Sequence, residues 1–250
     1  MDYHDREAAY RAAEGLNQSA LKPLRKSPLH AWHEANSERK TSPAMAVGTL
    51  TERLLVVPDD VRADEVMEGF TPAAKVKALE AARGAAAAVR ASAKAKAMRS
   101  GCEYGIPCYW EVGGQRRKAL FDAVDTVRHR IVDLKTTSVD MTRGSLQRQV
   151  ATYDYAIQAA WYMQGYAAVH GVVPEFWFLF VESAAPHAVV AVQLDADWLA
   201  HATDEMETMA AVWQQCSEAG VWPGPAEMMA DSGKLTLSRP TWAPTYTVGE

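Results

Sequence analysis

Apolar residues recur along this chain with two different periods, and the change from one to the other marks out its elements. Between Met45 and Val57, the residues Val47, Leu50, Leu54 and Val57 fall on one side of a helix that Pro58 ends. Ser27-Pro28 and Thr71-Pro72 each set a capping hydroxyl before a proline at the first helical position, so helices are expected to start there. The second should reach about Met98, with Gly84 as its weak point. Three strand-like runs follow, about Tyr104 to Val112, Lys118 to Asp125 and Arg130 to Lys135, separated by Gly113-Gly114 and the polar Arg128-His129 stretch. Connections this short make the three strands antiparallel. A long helix over roughly Ser145 to His170, a strand Phe176 to Val181 and a companion strand Ala188 to Leu194 complete the central part, with Pro186 in the last turn. Asp197 to Ala219 reads as an amphipathic helix whose apolar side, Trp198, Met206, Met209, Trp213 and Cys216, is expected to be core. The order is α-β-β-β-α-β, an α/β class with a central sheet flanked by helices. No repeat or low-complexity linker divides the chain, so one domain over 1–250 is expected, with a basic helical segment at about 72–99 and a proline-rich tail from about 222 that wraps the surface.

Composition narrows the class without naming an activity. The 250 residues, 48% hydrophobic and 23% charged, suit an ordinary globular protein. There is no apolar run of membrane-spanning length, and the start M-D-Y-H-D-R-E lacks a secretory pattern, so a cytoplasmic protein without membrane association is expected. Cys102, Cys108 and Cys216 form no C-x-x-C and are too few for an all-cysteine zinc or iron–sulfur site, which leaves reduced thiols. The seven histidines form no H-E-x-x-H. The net charge of -5 is unevenly spread: seven cations from Lys75 to Arg99 against the single acid Glu80 leave +6 there and -11 elsewhere. That segment is either an electrostatic footprint for a phosphate backbone or a solvated helix.

The candidate chemistry sits in I-V-D-L-K-T-T, Ile131 to Thr137. Side chains two apart on a strand share a face, so Asp133 and Lys135 present a carboxylate and an ammonium together. Such a pair suits phosphodiester hydrolysis, the carboxylate holding Mg²⁺ and the lysine positioning water or offsetting phosphate charge. A D-x-K triplet alone is expected about once by chance in a chain of this size. The neighbouring strand adds L-F-D-A-V, too apolar to take a charge without a partner or a metal. Simple alternation puts Leu120, Asp122 and Val124 on one face and Phe121, Ala123 and Asp125 on the other, so either Asp122 or Asp125 is the partner. Asp125, nearer the turn, also reads as a solvated strand end.

The pattern L-F-D-(x)10-D-L-K-T-T resembles the PD-(D/E)xK nuclease core, a restriction-endonuclease-like α-β-β-β-α-β fold with a mixed sheet. Within it, the chain resembles the nuclease domain of exodeoxyribonuclease VIII, the RecE-like exonucleases of phages and prophages. S-A-L-K-P-L-R-K-S-P (Ser19 to Pro28), A-V-G-T-L-T-E-R-L-L-V-V-P (Ala46 to Pro58), Y-D-Y-A-I-Q-A-A-W-Y-M-Q-G-Y (Tyr153 to Tyr166), P-E-F-W-F-L-F and the late L-S-R-P-T-W-A carry the likeness. Asp59 to Gly101 is its least similar stretch. The resemblance assigns the first strand aspartate to Asp122, the D-x-K places to Asp133 and Lys135, and the Q-x-x-x-Y pair to Gln158 and Tyr162, which lie four apart on one helical face. Two positions depart from the pattern: Phe121 stands where proline usually precedes the first aspartate, and Glu52 stands where the family has a histidine ligand. A carboxylate oxygen suits Mg²⁺ or Mn²⁺ at least as well.

The resemblance implies one or two Mg²⁺ ions per site, Mn²⁺ substituting, held by Glu52, Asp122, Asp133 and the backbone carbonyl of Leu134. It further implies 5′-to-3′ digestion of linear double-stranded DNA to leave 3′ overhangs, a ring-like homo-oligomer (trimer or tetramer) on DNA ends, and a single-strand annealing protein as recombination partner. Lys22, Arg25, Lys26, Arg143 and Arg148 are the DNA-binding candidates. Plainer readings stand beside these: Glu52 as a surface glutamate, Gln158 and Tyr162 as helix packing, Lys135 as a salt-bridged strand end. Other functions compatible with the sequence are a structure-specific endonuclease and a non-catalytic DNA-binding recombination subunit.

Overall fold

The computed structural model describes residues 1–38, 40–229 and 237–242. A helical half comes first: α1 (Tyr3–Ala12), α2 (Gln18–Leu21) running into a 3-10 turn at Lys22–Arg25, α3 (Pro28–Ala35), α4 (Pro43–Val56), α5 (Ala63–Val66), α6 (Pro72–Ala91) and α7 (Ala93–Arg99). Its starts obey simple capping chemistry. The hydroxyls of Ser27, Ser42 and Thr71 each accept an amide hydrogen three residues on, with proline in the first turn. The basic helix breaks at Ser92, which caps α7, and not at Gly84. Gly84 lies within α6, where an added Cβ would strike the His187 ring. Ala78, Ala82, Ala85, Ala86 and Val89 form the buried stripe of α6, small enough to let it lie close against α4 and the sheet.

The sheet follows: β1 (Glu103–Val112), β2 (Gln115–Asp125) and β3 (Arg130–Thr137), then helices α8 (Arg143–Thr152) and α9 (Tyr155–His170), strands β4 (Glu175–Glu182) and β5 (Val189–Val192), and helices α10 (Ala196–Ala219) and α11 (Pro225–Met228). Spatial order matches chain order, with β1, β2 and β3 antiparallel, β4 parallel to β3 and β5 antiparallel to β4. The α/β class and the mixed sheet of the expected α-β-β-β-α-β core are therefore present. The single helix expected over Ser145 to His170 is two helices, parted at Asp154, whose backbone is left-handed (φ 52°, ψ 38°).

One face of the sheet is covered by α9, with α10 packed along it; α6 and α7 cover the other. Trp161 of α9 is fully buried and donates its indole N–H to the Lys118 carbonyl at 3.0 Å. Met206 and Cys216 are buried on α10, and Trp198, Met209 and Trp213 pack beside them, as the amphipathic pattern predicts. All three cysteines are free. Among the described residues, no helix is long and apolar enough to cross a membrane. The start of the tail lies against α3, where Leu29 N–H donates to the Pro223 carbonyl, while Leu237 and Trp242 are exposed; Ala243, the last residue of the L-S-R-P-T-W-A motif, lies outside the described residues.

Simple alternation fails on β2. Phe121 faces the α9 core but Ala123 faces the opposite one, and their β1 partners Ile106 and Tyr104 divide the same way. The switch falls at Gly105 (φ +60°) and the facing Asp122. The ladder between β2 and β3 comprises only Ala123↔Val132, Val124↔Ile131 and Asp125↔Arg130. Asp125 is also not a solvated strand end. It is 1% exposed and closes the β2–β3 turn, accepting from the amides of Val127 and Arg128 and pairing with the Arg128 guanidinium at 2.6 Å.

Two outcomes follow from these turns. At Gly105 a Cβ would meet the Tyr3 ring at 2.7 Å and a non-glycine residue would be strained, so Gly105→Ala is expected to cost about 1–3 kcal/mol, read as a lower denaturant midpoint. The Arg128 amide and guanidinium hold the Asp125 carboxyl below its usual range. A depressed folded-state value stabilises fully above the unfolded value and is lost as pH falls through the folded one. The stability advantage of wild type over Asp125→Asn is therefore expected in full near neutral pH and to shrink below about pH 4, measured by chemical unfolding across pH.

Candidate active site

β3 sends Ile131, Asp133, Lys135 and Thr137 toward α8 and α9, and Val132 and Leu134 toward α6 and α7. Asp133 is 1% exposed. Its Oδ1 accepts from Gln158 Nε2 at 2.6 Å, and its Oδ2 stands 2.5 Å from Lys135 Nζ, out of hydrogen-bond alignment and without a further partner. The Lys135 ammonium also lies over the Tyr155 ring, 4.8 Å from its centre. Burial works to lower the Lys135 pKa, but the Asp133 and Asp122 carboxylates outweigh it and hold the group charged above the usual lysine range.

Asp122 comes to the same end of the sheet by a different route. Past the last ladder pair, β2 parts from β3, and the Leu134 N–H finds its acceptor in Asp122 Oδ2 at 2.8 Å. Glu52, on α4, accepts the Tyr3 hydroxyl at 2.8 Å. Burial, with the Glu52 and Asp133 charges, pushes Asp122 well above the ordinary carboxylate range. Burial likewise pushes Glu52 up to about 7, against the Tyr3 hydrogen bond and with the charges of Glu7 and Asp133 adding to the rise. Buried Tyr162 feels Asp133 and Asp122 as well; burial, then those charges, raises its phenol far beyond the usual range. The six residues singled out in the sequence thus form one electrostatic cluster.

The same set can be tested as a cation site. Among the described residues, no three His, Cys, Asp or Glu side chains make a ready ion site, and one oxygen each of Glu52 and Asp122 is already taken by Tyr3 and Leu134. The donor chemistry nevertheless fits a hard divalent ion. Three carboxylates gather about the Lys135 ammonium, two of them are raised partly by neighbouring charge, and Asp133 Oδ2 has the Lys135 ion pair as its one polar contact. Leu134 contributes its N–H to the cluster.

The five DNA-binding candidates scatter. Lys22 joins the site: it donates to the Tyr153 carbonyl at 2.7 Å, lies 5.6 Å from the Tyr155 ring centre, and has its pKa pulled down to about 8 by burial and by Lys135. Arg25 is bound in ion pairs with Asp154 and Glu205, both at 2.7 Å. Lys26 is exposed at the end of the 3-10 turn, and Arg143 and Arg148 are exposed on α8, Arg148 donating to the Ser145 hydroxyl. In the basic segment, Lys75 pairs with Asp64, Arg90 reaches the Leu54 carbonyl, and Lys94 and Arg99 lie over the rings of Trp177 and Tyr104, while Lys77, Arg83 and Lys96 are exposed.

Sequence reasoning missed α1. Tyr3 holds Glu52, Glu7 pairs with buried Arg53 on α4 at 3.0 Å, and Arg6 donates to the carbonyls of Tyr104 and Gly105. Lys118 donates to the carbonyls of Tyr10 and Ala13 at the far end of α1. An aromatic in a short polar helix gives no motif to find. Tyr155, also missed, was visible in principle, three residues before Gln158 on the same face of α9.

Comparison with known proteins bears on the family and the fold. Among curated proteins, none matches the chain. A solved structure described as a "Putative exonuclease" from Eubacterium rectale superposes with a TM-score of 0.70 at 17% identity, covering 96% of this chain and 94% of that one, which shows a shared fold. A second, of a protein called SSO0001, is 14% identical over 78% of this chain and 85% of its own, with a TM-score of 0.33, too low to bear on the fold. Residues 17–232 match the family described as a PDDEXK-like domain of unknown function, and the chain, with its split β2–β3 ladder and its Asp122, Asp133 and Lys135, belongs to that PDDEXK-like family, DUF3799.

Proposed function

We propose that this protein is a metal-dependent deoxyribonuclease, acting in the cytoplasm as an exonuclease on the ends of linear double-stranded DNA. The observation that carries the proposal is the pair of buried Asp133 with half-buried Lys135, with Asp122 and Glu52 in its field, an acidic cluster around a fixed ammonium. Membership in a PDDEXK-like family supports it, as does the fold shared with the protein described as a "Putative exonuclease". Glu52, Asp122 and Asp133, with the Leu134 carbonyl as a further oxygen, are the residues that would hold one or two Mg²⁺ ions, Mn²⁺ substituting. Such an ion would supply Lewis acidity at the phosphate and lower the cost of forming hydroxide.

The chain's own groups do the rest. Gln158 fixes the Asp133 carboxylate, and the Tyr155 ring fixes Lys135, so neither must reorganise when substrate binds. Lys135 stays protonated and offsets charge on the phosphate as a water, giving up a proton to solvent, attacks the phosphorus in line; the P–O3′ bond breaks and the 3′ oxygen takes a proton from solvent. Tyr162, beside Gln158, keeps that flank of the site closed to solvent. The likeness to RecE-type enzymes extends the proposal to 5′-to-3′ digestion leaving 3′ overhangs, a trimeric or tetrameric ring, and an annealing protein as partner in phage-type recombination.

With Mg²⁺, linear duplex is expected to be degraded while covalently closed circles survive; cutting of the circle makes the protein an endonuclease instead. Lys135→Ala is expected to lower the rate by about 10²–10³-fold, with a thermal melt showing that the variant is folded; an unchanged rate removes Lys135 from the mechanism. Tyr3→Phe keeps the ring against Gly105 but releases Glu52. It is expected to weaken Mn²⁺ binding by about tenfold or more, read by calorimetric titration independently of turnover.

A further inference from the structure

We propose that the exposed ring of Tyr153 is a stacking platform for an unpaired nucleobase beside the phosphodiester that is cut. The inference rests on the nuclease reading, because it needs DNA at Lys135, and it adds to that reading a preference for a strand end that is already open. Tyr153 is 56% exposed, yet it is fixed: its ring stacks on Tyr155, centres 5.7 Å apart and planes within 22°. Beneath it, the Tyr155 ring carries the ammonium groups of both Lys135 and Lys22, at 4.8 Å and 5.6 Å. Lys22 also holds the backbone of Tyr153 through its carbonyl.

The backbone is bent to produce this arrangement. In a continuous helix, residues two apart point about 200° away from each other and do not meet. Tyr153 and Tyr155 meet because the helix is broken between them at Asp154, a non-glycine residue in left-handed conformation, held there by Arg25, itself braced on Glu205. Such a conformation costs free energy and persists where surrounding contacts impose it. The break converts two positions that would diverge into one two-ring stack running outward from Lys135.

A nucleotide matches that surface in both its parts. Its phosphate is complementary to the paired ammonium groups of Lys22 and Lys135, and its base, if unpaired, offers a bare face to an exposed aromatic ring. Lys135 Nζ and the Tyr153 ring centre lie 4.8 Å and 5.7 Å from the Tyr155 ring centre, so they are at most about 10 Å apart, a reach of up to about three nucleotides at ~3.4 Å each. A base within a duplex is covered on both faces and cannot use the ring. The occupant is therefore an unpaired base adjoining the scissile phosphate.

The test uses the full chain and a single-stranded oligonucleotide carrying 2-aminopurine near its 5′ end, without divalent metal so that nothing is cut. Wild type is expected to quench the fluorophore on binding. Tyr153→Ala is expected to lose the quench and to bind the strand roughly tenfold more weakly, and Tyr153→Trp to restore both. In Mg²⁺, the same loss should be seen as a raised KM for strands with an unpaired end. Equal quenching and equal KM in wild type and Tyr153→Ala overturn the platform while leaving cleavage intact, and so does quenching confined to blunt duplex. If wild type and Lys135→Ala cut no DNA, or cut it equally, the nuclease reading has failed and not the platform alone.

Discussion

One amide hydrogen decides where the candidate site lies. When two paired strands separate inside a protein, the last N–H still needs an acceptor, because a buried unpaired amide is costly. At the end of the β2–β3 ladder, that acceptor is the carboxylate of Asp122. The opening between the strands and the first acid of the cluster are thus one feature: without the carboxylate the gap would expose Leu134 N–H, and without the gap Asp122 would have no place among apolar neighbours. The kink at Gly105 and Asp122, which exchanges the faces of β1 and β2, turns the carboxylate to this job.

Around that point the structure gathers like charges at some cost to itself. Glu52 and Asp122 are each raised above their ordinary values by burial and by other acids, which means that the ionised cluster is destabilised as it stands. α1 clamps the surroundings, with Tyr3 on Glu52, Glu7 on Arg53 and Arg6 on the kink carbonyls, although the Glu7 charge itself adds to the rise of Glu52. Since the family match begins at residue 17, this brace lies ahead of the matched segment. A protein that keeps mutually repelling acids together by clamping their helix from outside trades stability for a charged pocket, the usual compromise of functional sites.

Much of this was legible in the sequence, and the failures have physical causes. Hydrophobic period and capping residues found the strands and the starts of α3 and α6, because those signals are local. Asp133 with Lys135 was readable because the strand period fixes which residues share a face, whereas Gln158 and Tyr162 were named by the family resemblance, the helix period adding only that they face the same way. Alternation misassigned β2 because the switch at Asp122 depends on Gly105 in the partner strand, and no single strand carries that information. Asp125 looked solvated since turn acids usually are; here the turn folds its own amides onto the carboxylate. The helix break at Asp154 was hidden because the apolar pattern runs through it, and it is enforced by Arg25, 129 residues earlier.

The parallel pairing of β3 with β4 has a consequence in time as well as in space. The first three strands form a meander of near neighbours, whereas β4 can reach β3 only after α8 and α9 have crossed over the sheet. During synthesis Tyr3 and Glu52 emerge long before Asp133 exists to repel Glu52, and Gln158, which orders Asp133, and Tyr162 emerge last of the cluster. The acidic pocket therefore closes late, and an incomplete chain carries its parts without the arrangement that would make them work together.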